Sequence, residues 1–202
     1  MASDKKVVLL FTGCEASAIL EAGTPALAKL LGKGVALTNV SAAENFRQAA
    51  AAGNKDGQAI WEAAEDHDFV VTGLSENFDM CVLDAEADAA SVEVAVAGIL
   101  EVAGRNTVVA LVAPKLIVFY GPGFAKGKSI DAEYCPCTVA ATVAYVANFP
   151  LPANCAAPVC YAALKDINYK FNEIKKLQES ITNMEAAMER QTRKPWDKHD
   201  CA

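Results

Sequence analysis

The segment Val108-Val109-Ala110-Leu111-Val112-Ala113-Pro114-Lys115-Leu116-Ile117-Val118-Phe119-Tyr120 decides the fold class. It holds two continuous apolar runs, Val108 to Val112 and Leu116 to Tyr120. Each is short enough for a strand and apolar at consecutive positions, as strands covered on both faces are. Asn106-Thr107 leads in, and Gly121-Pro122-Gly123 stops the second run abruptly. Working upstream, Val7 to Phe11, Val35 to Thr38 and Phe69 to Leu74 read the same way. Helical stretches separate them. Thr24 to Leu31 has Thr24 as N-cap and Pro25 at the first helical position. Further helices are predicted over Ala42–Ala52, Gln58–Ala64, Ala85–Val102 and Thr138–Val146, followed by a Pro-rich loop from Asn148 to Pro158. Strands alternating with helices predict an α/β three-layer sandwich with a largely parallel sheet.

Downstream the pattern changes. No Gly or Pro occurs between Tyr161 and Arg193. Ile167, Phe171, Ile174, Leu177, Ile181, Met184 and Met188 recur at steps of three and four, close to the 3.5-residue period of a coiled-coil seam. The expected organisation is an α/β domain over residues 1–160, a long amphipathic helix over 161–194, ended by Pro195, and a flexible tail over 195–202. Such a helix would be roughly 50 Å long, more than a domain of this size needs to cover its own sheet. A helix packed back on the body is the plainer alternative; the excess length favours a homo-oligomer or a protein partner docked through those seven residues.

Composition narrows the function classes. The formal net charge of −7 argues against nucleic acid and anionic membranes as partners. From Lys165 onward there are eight Lys/Arg against seven Asp/Glu, so residues 1–164 hold ten against eighteen, a net −8. No apolar run approaches the roughly 18–20 residues of a membrane span, and Val7–Phe11 is too short for a signal-peptide core. The expectation is a cytoplasmic protein with reduced thiols, its seven cysteines forming no disulfide framework.

Leu116 to Lys128 (LIVFYGPGFAKGK), Asn148 to Cys155 (NFPLPANC) and Tyr161 to Leu164 together resemble the C-terminal part of the alkaline phosphatase superfamily, which includes sulfatases and cofactor-independent phosphoglycerate mutases. Ile130-Asp131 and the helix at Thr138–Val146 fill the intervening places. Lys6–Gly13, Thr24–Asn39 and Asp68–Val102 resemble earlier parts of that fold in the same order. The resemblance implies an α/β sandwich. In its enzymes it also implies two metal ions held by Asp and His beside a Ser, Thr or modified Cys nucleophile. Such a cluster stabilises the attacking and leaving oxygens of phosphoryl or sulfuryl transfer.

At those places this chain departs from the family. Thr12-Gly13 stands where the first strand ends in a ligand Asp. In the loop Ser75 to Cys81 only Asp79 answers to the family's Asp, and the His is missing. Ala113-Pro114 replaces the loop that carries Asp-His-Gly. In the nucleophile region, Ser41 to Gly53, Ser41 stands without the surrounding motif. A hard dication needs several oxygens or imidazoles converging on it. The expectation is a non-catalytic, pseudoenzyme-like subunit without a cofactor. One alternative is a divergent metal-dependent phosphate or sulfate ester hydrolase or mutase using Thr12, Ser41 or Asp79, with Asp79 also a metal-ligand candidate.

A second alternative is a small-ligand or thiol-based sensor. Cys14 follows the first strand at the expected site mouth, where a helix N-terminus could lower its pKa. Cys135-Pro136-Cys137 could bind a soft metal or form a redox pair, with Cys155 or Cys160 as third members; packing as small apolar residues is the plainer reading. His67, before a strand, and His199, near the terminus, are placed as solvated residues, which disfavours a His-based triad. Gly121-Pro122-Gly123 lacks phosphate-loop spacing and reads as a turn. Trp61 reads as core, and Trp196 as an anchor for the tail.

Overall fold

A computed structural model describes residues 5–54, 57–75, 77–165 and Ile174. In chain order the elements are β1 (Lys6–Thr12), α1 (Ala16–Glu21), α2 (Pro25–Lys33), β2 (Val35–Leu37), α3 (Phe46–Ala52), α4 (Ile60–Glu65), β3 (Val71–Thr72), β4 (Met80–Ala85), α5 (Ala89–Val102), β5 (Thr107–Ala113), β6 (Leu116–Tyr120), β7 (Lys128–Ile130) and α6 (Thr138–Ala147), with a 3₁₀ turn at Tyr161–Ala163. The strands form one sheet in the order β3-β4-β1-β5-β6-β2-β7. Four neighbouring pairs are parallel, and the two made by β6 are antiparallel.

The continuous apolar runs have a direct structural cause. Val7, Leu9 and Phe11 enter one core with Val108, Ala110, Ile117 and Phe119, covered by α3, α4 and α6. Val8 and Leu10 enter a second core with Val109, Leu111 and Val118, covered by α1, α2 and α5. Successive strand residues point to opposite faces, and both faces are covered, so every position is apolar. The result is the predicted α/β sandwich around a mixed, mostly parallel sheet.

Three expectations are corrected, and one strand orientation is supplied. Phe69–Leu74 is not a buried strand: only Val71–Thr72 pair, at the sheet edge, and Val70 is 50% exposed. The strand beside β1 is instead β4, within the stretch read as a loop and a helix start. The helix accordingly begins at Ala89, where the Asp88 side chain accepts the Ser91 amide at 2.8 Å. Next, β5 and β6 form a tight antiparallel hairpin, with Ala113 opposite Leu116 and Lys115 at φ 62°. Finally, no α-helix starts at Tyr161. Ala125 N–H donates to Ala163 O, Lys165 N–H donates to Gly123 O, and Leu164 bridges Phe124, so pairing across the chain uses backbone groups that a helix would need.

Residues 1–165 form one compact unit and residues 166–202 a second. Within the second unit only Ile174 is described, in helical conformation. The other seam positions, Ile167, Phe171, Leu177, Ile181, Met184 and Met188, lie outside the described residues, as do Trp196 and His199. No described helix is long and apolar enough to cross a membrane.

Candidate functional site

In open α/β sheets ligands bind beyond the carboxyl ends of the parallel strands, which here means the edge where β1, β4 and β5 end. Thr12 ends β1 and is 3% exposed. Its hydroxyl donates to Glu86 O at 2.8 Å and accepts the Cys14 amide at 3.1 Å. Those bonds tie the end of β1 to the loop entering α5, so the side chain serves that turn.

Cys14 is 1% exposed. Burial, then the nearby carboxylates of Asp88 and Glu15, push its thiol pKa upward. This overturns the lowered-pKa expectation: α1 is only six residues long, and the surroundings are apolar and acidic. Burial likewise raises Cys81, to about 11.

Asp84, near the end of β4, is the carboxylate that the sequence reading missed. Arg47 on α3 donates to it twice, Nε to Oδ1 at 3.0 Å and Nη2 to Oδ2 at 2.9 Å. The Arg47 guanidinium also lies 5.0 Å from the Phe11 ring and 5.5 Å from Trp61, while those rings meet edge-on at 6.2 Å. Trp61 is thus half-buried and packed against the core. The signal was present as the apolar run Met80-Cys81-Val82-Leu83 ending in an acid, but the polar Ser75–Asp79 stretch before it favoured a loop.

Asp79 is brought together with none of the other candidates. Val7 pairs with Met80 and Thr12 with Ala85, so Asp79 lies level with Lys6, roughly 20 Å from Thr12 along the strand. Its carboxylate accepts the Val70 amide at 2.9 Å, holding β3 to the sheet. It lines a cleft of about 510 Å³ at the amino edge with His67, Asp68, Phe69, Asn148 and Phe149. Ser41 is at the carboxyl edge; its hydroxyl donates to Tyr134 O at 3.3 Å. It borders a recess of about 100 Å³ shared with Phe46, Ala113 and Pro136.

Cys135 and Cys137 are joined in a disulfide, while Cys14, Cys81, Cys155 and Cys160 are free. Bonded to each other, neither sulfur is a thiolate free to hold a metal. Cys155 and the Cys137 carbonyl both abut Gly53, which has φ 67° and no room for a side chain. Cys160 is buried, its thiol raised chiefly by desolvation.

The metal pair implied by the family resemblance does not fit these donors. Among the described residues no group of three His, Cys, Asp or Glu could hold an ion. Comparison with known proteins finds no matching family model and no significant match to a curated protein.

Proposed function

We propose that this chain is an alkaline phosphatase-like domain that works without catalysis, as a structural or protein-interaction subunit. One observation carries the proposal: Asp84, Thr12 and Ser41 at the carboxyl edge are each held by a partner within the fold. Asp84 is held by Arg47, Thr12 is held in its turn, and Ala113 closes a hairpin where the family carries ligands. The contact with a second copy or another protein is assigned to the apolar seam from Ile167 to Met188, on its near-3.5-residue spacing.

The test uses the full chain. Light scattering should give a multiple of the 21.3 kDa chain mass, or a protein should co-purify in fixed ratio. Leu177→Asp with Ile181→Asp should abolish either state. A monomeric wild type with no partner sinks the interaction reading. Turnover of generic phosphate or sulfate esters with zinc or manganese would replace it by the hydrolase reading.

A thiol-based sensor is the second reading, favoured by the Cys135–Cys137 disulfide and by Cys155, which meets Gly53 together with the Cys137 carbonyl. It predicts that Cys155 reacts with a thiol reagent at least tenfold faster than the buried Cys14, Cys81 and Cys160. Equal rates for all four, read by peptide mapping, would end it.

A further inference from the structure

The amino edge of the sheet carries a second cleft, of about 300 Å³, between the start of β5 and the end of β6. Its charged residues are Lys33, Arg105 and Lys126, and no Asp or Glu lines it. This is unusual on a body whose residues 1–164 carry a net −8. Lys33 could be explained as a cation at the C-terminal end of α2, where the helix dipole favours it. Arg105 likewise follows the C-terminal end of α5 by three residues, but Lys126 sits at no helix end, and among the described residues none of the three cations has an ion pair or side-chain hydrogen bond.

Backbone contacts bring these cations together from distant parts of the chain. Lys128 N–H donates to Gly34 O at 3.3 Å, and Gly127, at φ 59°, lies against Gly32 O; together they lay the Lys126 segment on the end of α2. Gly104 N–H donates to Thr107 Oγ1 at 3.0 Å, and Thr107 N–H returns to Gly104 O at 3.2 Å, closing the turn that holds Arg105. Gly121, at φ 121°, packs on the Thr107 carbonyl with no space for a Cβ, so the β6 end and the Arg105 turn form one wall. Three exposed cations lining one cleft repel through the space they share, and that repulsion is relieved when an anion enters.

We infer that this cleft binds a small phosphorylated polyanion, of about pyrophosphate size, between Lys33, Arg105 and Lys126. Arg105 supplies the planar fork suited to two phosphate oxygens, and the two lysines supply point charges. The volume lies at the small end of the range for ligand sites, about 300–1,000 Å³, and three cations match an anion of two or three charges. The inference does not depend on the interaction proposal, since the cleft lies wholly within residues 33–126.

The probe is pyrophosphate, titrated into the full chain by calorimetry at about 0.15 M salt, where exposed long-range attraction is screened. Saturable binding with a Kd at or below about 1 mM is expected. Arg105→Ala with Lys126→Ala should weaken it tenfold or more, while Lys29→Ala, on the exposed surface of α2, should leave it within twofold. Amide shifts on the unaltered protein should concentrate at Gly104–Thr107 and Gly121–Lys126, a readout independent of whether the double variant folds. Absence of saturation, equal weakening by Lys29→Ala, or shifts centred elsewhere would each overturn the site.

Discussion

The two edges of the sheet differ in what their polar groups do. At the carboxyl edge Asp84, Thr12 and Glu93 each have an internal partner. Asp84 holds Arg47, Thr12 ties β1 to Glu86 O, and Glu93 on α5 caps α2 by accepting Ala26 N–H at 2.8 Å, Leu27 N–H at 2.9 Å and the Thr24 hydroxyl at 2.6 Å. The nearby recess is about 100 Å³. At the amino edge, clefts of about 510 and 300 Å³ are lined by His67 and Asp79 in one and by Lys33, Arg105 and Lys126 in the other. The fold positions ligands at the first edge by topology; in this chain side-chain chemistry has closed that edge and left the opposite one open. Fold and site therefore have to be argued separately.

The largest expected effect comes from disturbing the open edge. Gly121→Ala would force a side chain into φ 121° and against the Thr107 carbonyl. Strain and displaced backbone together should cost about 3 kcal/mol or more, read as a lower urea midpoint at unchanged slope. A loss below about 1 kcal/mol would show that this wall can shift, and the amino-edge cleft would no longer count as built.

Glu93→Gln addresses the closed edge. Burial alone would raise the Glu93 pKa, but its bonds from Thr24, Ala26 and Leu27 outweigh that and leave it lowered. Stabilisation from a depressed carboxyl is complete above the ordinary value near 4.5 and is lost as pH falls through the folded value. At pH 7 the substitution should cost about 1–2 kcal/mol, and the difference between variant and wild type should narrow on acidification below pH 4.5. A difference independent of pH would remove the charged cap from the account.

The Glu93 cap also marks how far sequence reading reaches. Thr24 and Pro25 announced the start of α2 correctly, because capping chemistry is local. Thr24, however, donates to Glu93 and makes no side-chain cap bond of its own, and a partner 69 residues away leaves no local trace. The apolar runs of β1, β5 and β6 were legible because burial on both faces excludes polar residues. β4 was not, since its second half is half-buried or exposed and includes Asp84. The antiparallel hairpin could have been read: a parallel return needs about a dozen residues or more, and Ala113-Pro114-Lys115-Leu116 has no room for them. Assigning Asp79 to the carboxyl edge followed directly from missing β4, which moved the candidate carboxylate to the wrong end of a strand. The cluster of Lys33, Arg105 and Lys126 lies beyond any local pattern, because only the sheet order brings α2, α5 and the β6–β7 loop together.

A smaller effect is expected from Arg47→Ala. The ion pair is partly exposed, 43% for Arg47 and 64% for Asp84, so it should contribute less than about 1 kcal/mol. Packing over Phe11 and Trp61 adds about 0.5–1 kcal/mol, giving a loss near 1 kcal/mol in chemical denaturation. Asp84→Asn should cost less than half of that, because the guanidinium keeps its place over the rings. Equal losses would mean that the charge pair, and not the ring packing, closes this edge.

Asp79→Asn is expected to do least, and its interest lies in that. The Asn side-chain oxygen can still accept the Val70 amide, so stability should change by less than about 0.5 kcal/mol. A metal ligand behaves differently, since an amide is a far weaker donor than a carboxylate for a hard dication. The full chain and the variant should therefore show the same zinc and manganese content after identical loading and dialysis. If the wild type retained one equivalent of metal and Asp79→Asn lost it, the 510 Å³ cleft would be a metal centre at the amino edge. The contrast between the edges would survive in a sharper form, with catalysis moved to the side of the sheet where the family does not place it.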